Sequence, residues 1–391
     1  MTQYQGTDFD AIMELLIQHG PDAMAEAFRR LLNLAMRFER EQFLHAAAYE
    51  RSPHRRGYAN GYKPKSLDTP AGTVTVDVPK TRDHDGQPFF PQALERGTRS
   101  SRAVMATLAQ MYVQGVSTRD VHKVMAQLGI ENISSSQVSR ANALLDEELE
   151  AWRCRPLGQV RYLFLDARYE KVRHAGVVVD TAVLSAVGVG PEGHRRVMGP
   201  SVALSEAETH WRAFLEDLTQ RGMTGVHLIV SDDHPGLKAA RRAVLPSVPW
   251  QRCQCHLARN AFQHAPTAAI RKQIGSQLRR IWNAHDRPEA DRLLAQLVET
   301  YQDPAPDFAR WLEDNVPEAL TVFAMPTAHR RKLRTTNGIE RPIQQELKRR
   351  TQKIRVFPNP EALLRLASAV LIEIDDQWAT TDKRYLTWEN P

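Results

Sequence analysis

Between residues 8 and 49, apolar side chains recur at helical intervals. Ile12, Leu15 and Leu16 fall on one face, Phe28, Leu31, Leu32, Leu34, Ala35 and Phe38 on another, and Gly20-Pro21 interrupts the run. This spacing predicts a helical pair whose apolar surface packs into a core or against a second copy. Thr73-Val74-Thr75-Val76-Asp77-Val78 alternates with a period of two and predicts a short strand. After an amphipathic stretch around Val104, Leu108 and Met111, Ser117 is placed to cap a helix carrying Val121, Val124, Met125 and Leu128, which Gly129 ends. A further helix starts near Ser135 or Ser136. Val138, Ala141, Leu145 and Leu149 line its buried side, and Gln137, Ser139, Arg140 and Asn142 are expected to face outward near its start.

The pattern changes after Trp152–Gly158, where a Pro-Leu-Gly break predicts a domain boundary. Strand-like runs follow at Tyr162–Leu165, Val177–Val189 and His194–Leu204, then a helix through Trp211, Phe214, Leu215 and Leu218. A strand at Val226–Val230 and a helix through Leu237, Ala240 and Val244 come next. Three successive strands followed by alternating helix and strand predict an α/β class with a mixed sheet. From Leu257 to Arg331 only helical spacing remains, through Leu278, Ile281, Leu293, Leu294, Leu297, Trp311 and Leu320. The expected organisation is a helical region over 1–50, a basic segment with a small β element over 51–100 and a helix pair over 101–152. The first part of the sheet domain follows over 159–256, an all-helical insertion over 257–331, and completion of the core over 332–391.

A length of 391 residues with 42% hydrophobic content accommodates two or three domains, and the net charge of +6 matters chiefly through its clustering. Arg51–Lys65 holds Arg55, Arg56, Lys63 and Lys65 with Tyr58 and Tyr62 between them, a composition suited to phosphate contacts. With two helices at 117–149 and polar side chains at the start of the second, it fits a DNA-contacting helix-turn-helix region. Cys154, Cys253 and Cys255 form no disulfide framework, and neither a leader pattern nor a membrane-length apolar run is found. The expectation is a soluble, cytoplasmic protein, nucleoid-associated when bound to DNA.

Asp166 closes the apolar run Tyr162–Leu165, and Asp232 closes Val226–Ser231. Glu340 stands at a predicted helix start, with Pro342 in its first turn and the basic residues Lys348, Arg349, Arg350, Lys353 and Arg355 downstream. Carboxylates from two strand ends and a helix suit hard divalent cations, and the basic helix face is a candidate for tracking phosphates. The blocks Asp166–Arg173, Ser231–Lys238, Trp250–His256 and Thr335–Glu340, in this order, resemble the Mutator-type DDE transposases of bacterial insertion sequences.

The resemblance runs from about residue 50 to the C-terminus. It implies a ribonuclease-H-like catalytic core, with Asp166, Asp232 and Glu340 as catalytic residues and as ligands of two Mg²⁺ or Mn²⁺ ions. Implied partners are double-stranded DNA, as terminal inverted repeats and target, and a second copy of the chain on that DNA. Where Asp233 stands the family usually has a small residue, which leaves Asp233 as a neighbour of the site at best. Cys253 and His256 match a motif that follows the family's second acid, which implies a structural role near the site. Zinc is disfavoured, because no second Cys/His pair lies close by. Trp250, Trp282 and Trp311 are aromatic candidates for holding an unpaired base, Trp282 foremost because Arg279 and Arg280 precede it. Two other readings use the same residues: a ribonuclease-H-like nuclease without strand transfer, and a catalytically silent transposase-derived DNA-binding regulator.

Overall fold

The computed structural model describes residues 5–83, 89–96, 99–113, 118–130, 133 and 135–388. Ser117 and the side chains of Ser139, Arg140 and Asn142 lie outside the described residues. The chain forms two compact units, Met1–Leu145 and Asp146–Pro391, which divide inside a helix rather than at the 152–158 break.

In the first unit, α1 (Gln5–His19) and α2 (Met24–Leu44) are separated by a 3₁₀ turn at Gly20–Ala23. The strand expected over 73–78 is longer: β2 (Gly72–Asp83) pairs antiparallel with β1 (Gly57–Thr69), which is drawn from the basic segment. Val74 and Val76 point inward beside Leu67, Leu94 and Met36 of α2, so the alternation read from sequence is the buried face of a ribbon. Next come α3 (Arg102–Val113), α4 (Thr118–Gln127) and α5 (Ser135–Arg153). Val104, Leu108, Val121, Met125, Ile130 and Ala141 form their common core. Gly129 has φ +72° and packs against Gly72, where an added Cβ would lie 3.3 Å from the Leu128 carbonyl oxygen. Glycine at both positions lets the turn after α4 close on the hairpin.

The second unit begins with the long strands β3 (Tyr162–His174), β4 (Val177–Val189) and β5 (Arg195–Ala203). Then follow α6 (Glu208–Gln220), β6 (Leu228–Ser231), α7 (Pro235–Val244) and β7 (Trp250–Arg252). The sheet order is β5-β4-β3-β6-β7, with β6 parallel to both β3 and β7, and β4 antiparallel to β3 and β5. Because side chains alternate across a strand, β3 is apolar on both faces. Leu163 and Leu165 pack under α6 and α7 with Trp211, Leu215 and Leu237, while Tyr162 and Phe164 face the opposite core. That core is roofed by α8 (Gln254–His264), α9 (Ala268–Trp282), α10 (Arg287–Gln302), α11 (Pro306–Asn315), α12 (Thr327–Leu333), α13 (Asn337–Ile354) and α14 (Pro360–Ala379). Thr267, Asp286 and Asn359 cap α9, α10 and α14 by accepting from backbone N–H groups. Among the described residues no helix is long and apolar enough to cross a membrane.

Candidate active site

The central strand positions the first acid. Asp166 has the parity of Tyr162 and Phe164, so it belongs to the sheet face that α13 covers. Phe164 is in register with Val230 of β6; two residues further along each parallel strand stand Asp166 and Asp232. Asp166, inside the long β3, therefore sits beside Asp232, which follows the carboxyl end of the parallel β6.

The third acid comes from α13. Its start at Asn337 puts Glu340 in the first turn, as expected, but Pro342 then lies inside the helix rather than in that turn. Proline cannot donate to the carbonyl four residues back, which is that of Gly338, and Arg195 Nη1 donates to that oxygen instead at 3.2 Å. One turn beyond Glu340, Gln344 Nε2 donates to Asp166 Oδ2 at 2.5 Å, and Arg168 Nη1 donates to Gln344 Oε1 at 3.2 Å. Thr351 donates to Glu170 at 2.9 Å, so three successive same-face residues of β3 hold one stripe of α13.

The electrostatics of the two aspartates follow from their burial and their neighbours. Burial, then the negative charge of Glu340, raises the Asp166 carboxyl to about 7, while the Gln344 hydrogen bond works against the rise and Asp232 adds to it. Asp232 is raised by burial and then by the charge of Glu206, with His256 and His234 opposing. Among the described residues, no group of three or more His, Cys, Asp or Glu is assembled tightly enough to hold an ion by itself. The donors are nonetheless all carboxylate oxygens, the chemistry of Mg²⁺ or Mn²⁺ rather than of a softer metal. Magnesium is commonly held by one or two carboxylates plus waters and phosphate oxygens, a requirement these residues fit.

Asp233 is committed elsewhere. Its carboxylate pairs with Lys238 Nζ and Arg252 Nη1, both at 2.8 Å, and the same two cations reach Glu318 at 2.8 and 3.3 Å. Arg252, 2% exposed, also donates to Asn315. This network joins the loop after β6 to the helical insertion.

Cys253 and His256 act from below. Cys253 is fully buried, and hydrogen bonds with Cys255 and then His256 hold its thiol low, while His256 is raised to about 9 by the Cys253 partner. The Thr336 hydroxyl stands 3.4 Å from Cys253 Sγ and donates to Glu340 Oε2 at 2.7 Å; Asn337 Nδ2 donates to Cys255 Sγ at 3.0 Å. The cysteine block thus fixes the turn from which Glu340 springs.

A model of the Mutator family of transposases matches residues 1–381. The chain belongs to this family. It is 55% identical over 384 residues to the transposase for insertion sequence element IS406 of Burkholderia multivorans, covering 98% of this chain and 97% of that one. The transposase for ISRM5 of Rhizobium meliloti is 39% identical over 391 residues, covering 100% and 97%. That for IS256 in transposon Tn4001 of Staphylococcus aureus is 33% identical over 396 residues, covering all of both chains.

In this Mutator-family chain, two residues expected to meet DNA do not face solvent. Gln137, 4% exposed, donates to Asp68 Oδ2 at 2.7 Å and Ser100 Oγ at 2.5 Å, because Asp68 is fully buried and needs donors. Arg350, 3% exposed, pairs with Glu373 at 2.6 Å, so it belongs to the α13–α14 packing rather than to the basic face. Lys348 and Arg349 are exposed, with Arg349 paired to Glu346. In the basic segment Lys63 is exposed. Arg55 donates to the Ala47 carbonyl and lies over Tyr58, Arg56 lies over Phe43, and Lys65 donates to the Glu95 carbonyl. Trp250 donates to Ser231 and Trp311 stacks on His264, both structural uses. Trp282 lines a cavity of about 480 Å³ with Phe323, Arg330, Arg331 and Arg334. Sequence reasoning missed Gln344, Arg252 and Glu206. Only Gln344 had a legible signal, its i+4 spacing from Glu340.

Proposed function

We propose that this transposase binds the terminal inverted repeats of its insertion sequence and performs DNA cleavage and strand transfer, with Asp166, Asp232 and Glu340 as a cation-holding triad. The observation that carries the reading is that Asp166 on β3 stands beside Asp232 after the parallel β6, under α13, which supplies Glu340 and whose Gln344 donates to Asp166. Strand order β5-β4-β3-β6-β7 with β4 antiparallel supports a ribonuclease-H-like core, and α4–α5 supports a helix-turn-helix for end recognition.

When bound, a pair of Mg²⁺ or Mn²⁺ ions would activate the attacking oxygen and stabilise the leaving oxygen of a phosphodiester. The chain's own contribution is orientation. Gln344 fixes the Asp166 carboxylate, and Thr336 fixes that of Glu340. Arg331, Arg334 and Trp282 offer phosphate contacts and a stacking surface beside the turn that leads to Glu340. Processing two ends together calls for a dimer on the DNA, in the cytoplasm at the nucleoid.

The test is strand transfer of a labelled transposon end in Mn²⁺. Wild type joins and Asp166→Asn does not. Joining by Asp166→Asn at the wild-type level removes the triad. Cleavage without joining by wild type identifies a nuclease, and end binding with neither reaction identifies a silent regulator.

A further inference from the structure

The helix that carries Glu340 has a gap in its own backbone bonding. Glu340 stands midway between Gly338 and Pro342, and the missing N–H of Pro342 releases the Gly338 carbonyl inside α13. Helices kink at such prolines, and a kink here redirects the turn from which Glu340 projects. Arg195, the first residue of β5, supplies a donor in place of the lost one: its Nη1 reaches the Gly338 oxygen at 3.2 Å.

The guanidinium is itself clamped. It lies over the ring of Trp378 at 4.3 Å and over that of Tyr385 at 5.0 Å. Tyr385 in turn is fixed along its length. Its N–H donates to the Gly193 carbonyl at 2.8 Å, its hydroxyl donates to the Lys332 carbonyl at 3.3 Å, Lys332 Nζ donates to its carbonyl, and its ring meets Phe164 edge-on. Two glycines admit this segment. Gly193 has φ +85°, and a Cβ there would lie 1.8 Å from the Leu386 carbonyl oxygen. A Cβ at Gly338 would lie 2.9 Å from the Tyr385 hydroxyl oxygen but 3.7 Å from the nearest ring carbons. The segment after α14 thus closes on the turn between α12 and α13.

We propose that Arg195 and Tyr385 are positioning residues for Glu340, the guanidinium replacing the helix bond that Pro342 removes and the tyrosine ring holding the guanidinium in place. The inference rests on the reading of Glu340 as the third acid. Both residues act through the backbone of α13 rather than on the carboxylate, so what they set is the direction in which the helix delivers it. A misplacement of about 1 Å can cost roughly a hundredfold in rate.

The test measures strand transfer of a labelled transposon end in Mn²⁺ by the full chain at saturating DNA, with end binding and tryptophan-monitored folding measured separately. Arg195→Met, which keeps the stem between the two rings, should transfer roughly ten- to a hundredfold more slowly while binding ends within about twofold of wild type. Pro342→Ala restores an N–H to the Gly338 carbonyl. Combined with Arg195→Met it should therefore recover most of the lost rate, which a general loosening of the core would not do. Gly338→Ala should also be slow, although alanine is the better helix former. Adding Tyr385→Phe to Gly338→Ala should restore rate, because the hydroxyl that the new methyl meets is gone.

Wild-type transfer by Arg195→Met overturns the inference, as does a slow Arg195→Met whose rate Pro342→Ala leaves unchanged. If Arg195→Met does not fold, the glycine pair decides: wild-type transfer by Gly338→Ala, or a loss that Tyr385→Phe does not relieve, overturns it. Glu340→Gln separates this inference from the reading beneath it. An inactive Glu340→Gln beside a fully active Arg195→Met sinks the positioning role alone, whereas a Glu340→Gln that joins ends at the wild-type level removes the third acid and this inference with it.

Discussion

Replacing Asp166 by asparagine should stabilise the metal-free protein even as it abolishes activity. The carboxyl's ordinary value is 3.8 and its folded value about 7, raised first by burial and then by Glu340. At about 1.4 kcal/mol per pH unit between those values, ionisation costs the folded state at most about 4 kcal/mol. A carboxyl raised on folding holds its proton more tightly in the native state. Native stability is therefore favoured at low pH and declines as pH rises from about 4 to about 7, the reverse of an ion-paired acid. Asparagine keeps an oxygen for Gln344 Nε2 and carries no charge, so the variant should lose this decline. All seven tryptophans lie in the second unit, so their fluorescence during urea unfolding in EDTA reports on that unit alone. Below about pH 4 the two proteins should differ little, at pH 5 the variant should already be ahead by about 1.5 kcal/mol, and at pH 8 its midpoint should be higher still. Mg²⁺ with DNA should then raise the wild-type midpoint more than the variant's, because a ligand stabilises only the form that binds it. An Asp166→Asn protein less stable than wild type at pH 8 in EDTA would refute the claim that this carboxylate is held at a cost beside Glu340.

Three further outcomes follow from the same geometry. Gln137→Leu should cost the first unit about 1–3 kcal/mol, measured by thermal unfolding, because the buried Asp68 carboxylate loses a donor; its DNA affinity per folded molecule should be unchanged, and a loss of affinity without a loss of stability would restore Gln137 to the DNA face. Arg252→Met should lower the tryptophan-monitored unfolding free energy by about 3 kcal/mol or less, since Asp233 and Glu318 lose a shared cation but keep some contact with water; an unchanged midpoint would mean the network does not brace the loop. Thr336→Val removes the donor to Glu340 while keeping volume, so strand transfer should fall by roughly tenfold with little change in DNA binding; full activity would show that Glu340 needs no such support.

How far the fold could be read in advance follows from where its information lies. Apolar alternation and helical spacing are local, so β4 and β5 were legible to within a residue or so and the insertion's helical character was legible too, while β3, read as Tyr162–Leu165, runs on to His174 once its apolar run has ended. β1 was not. Tyr62-Lys63-Pro64-Lys65 has no alternation because neither side of this stretch is buried, and its strand conformation is imposed by pairing with β2. β7 is three residues long and fully buried, too short for any period to appear. The acids Asp166 and Asp232 were legible because each ends an apolar run, and their shared face follows from the period of two once β3 and β6 are known to be parallel and in register. Outward-facing polar residues were the least reliable inference. Gln137 and Arg350 have surface-type side chains and sit at helix positions with polar neighbours, yet each is buried because a distant acid, Asp68 or Glu373, requires a donor there. Glu206 is the same phenomenon reversed. A charged residue in a turn would ordinarily be solvated, but Gly236 approaches its backbone closely and His234 and Tyr169 meet its side chain. What a periodicity argument cannot supply is the partner across the fold: burial first and then such partners, Glu340 for Asp166 and Glu206 for Asp232, raise the two carboxyls, and Arg252 and Lys238 pair with Asp233.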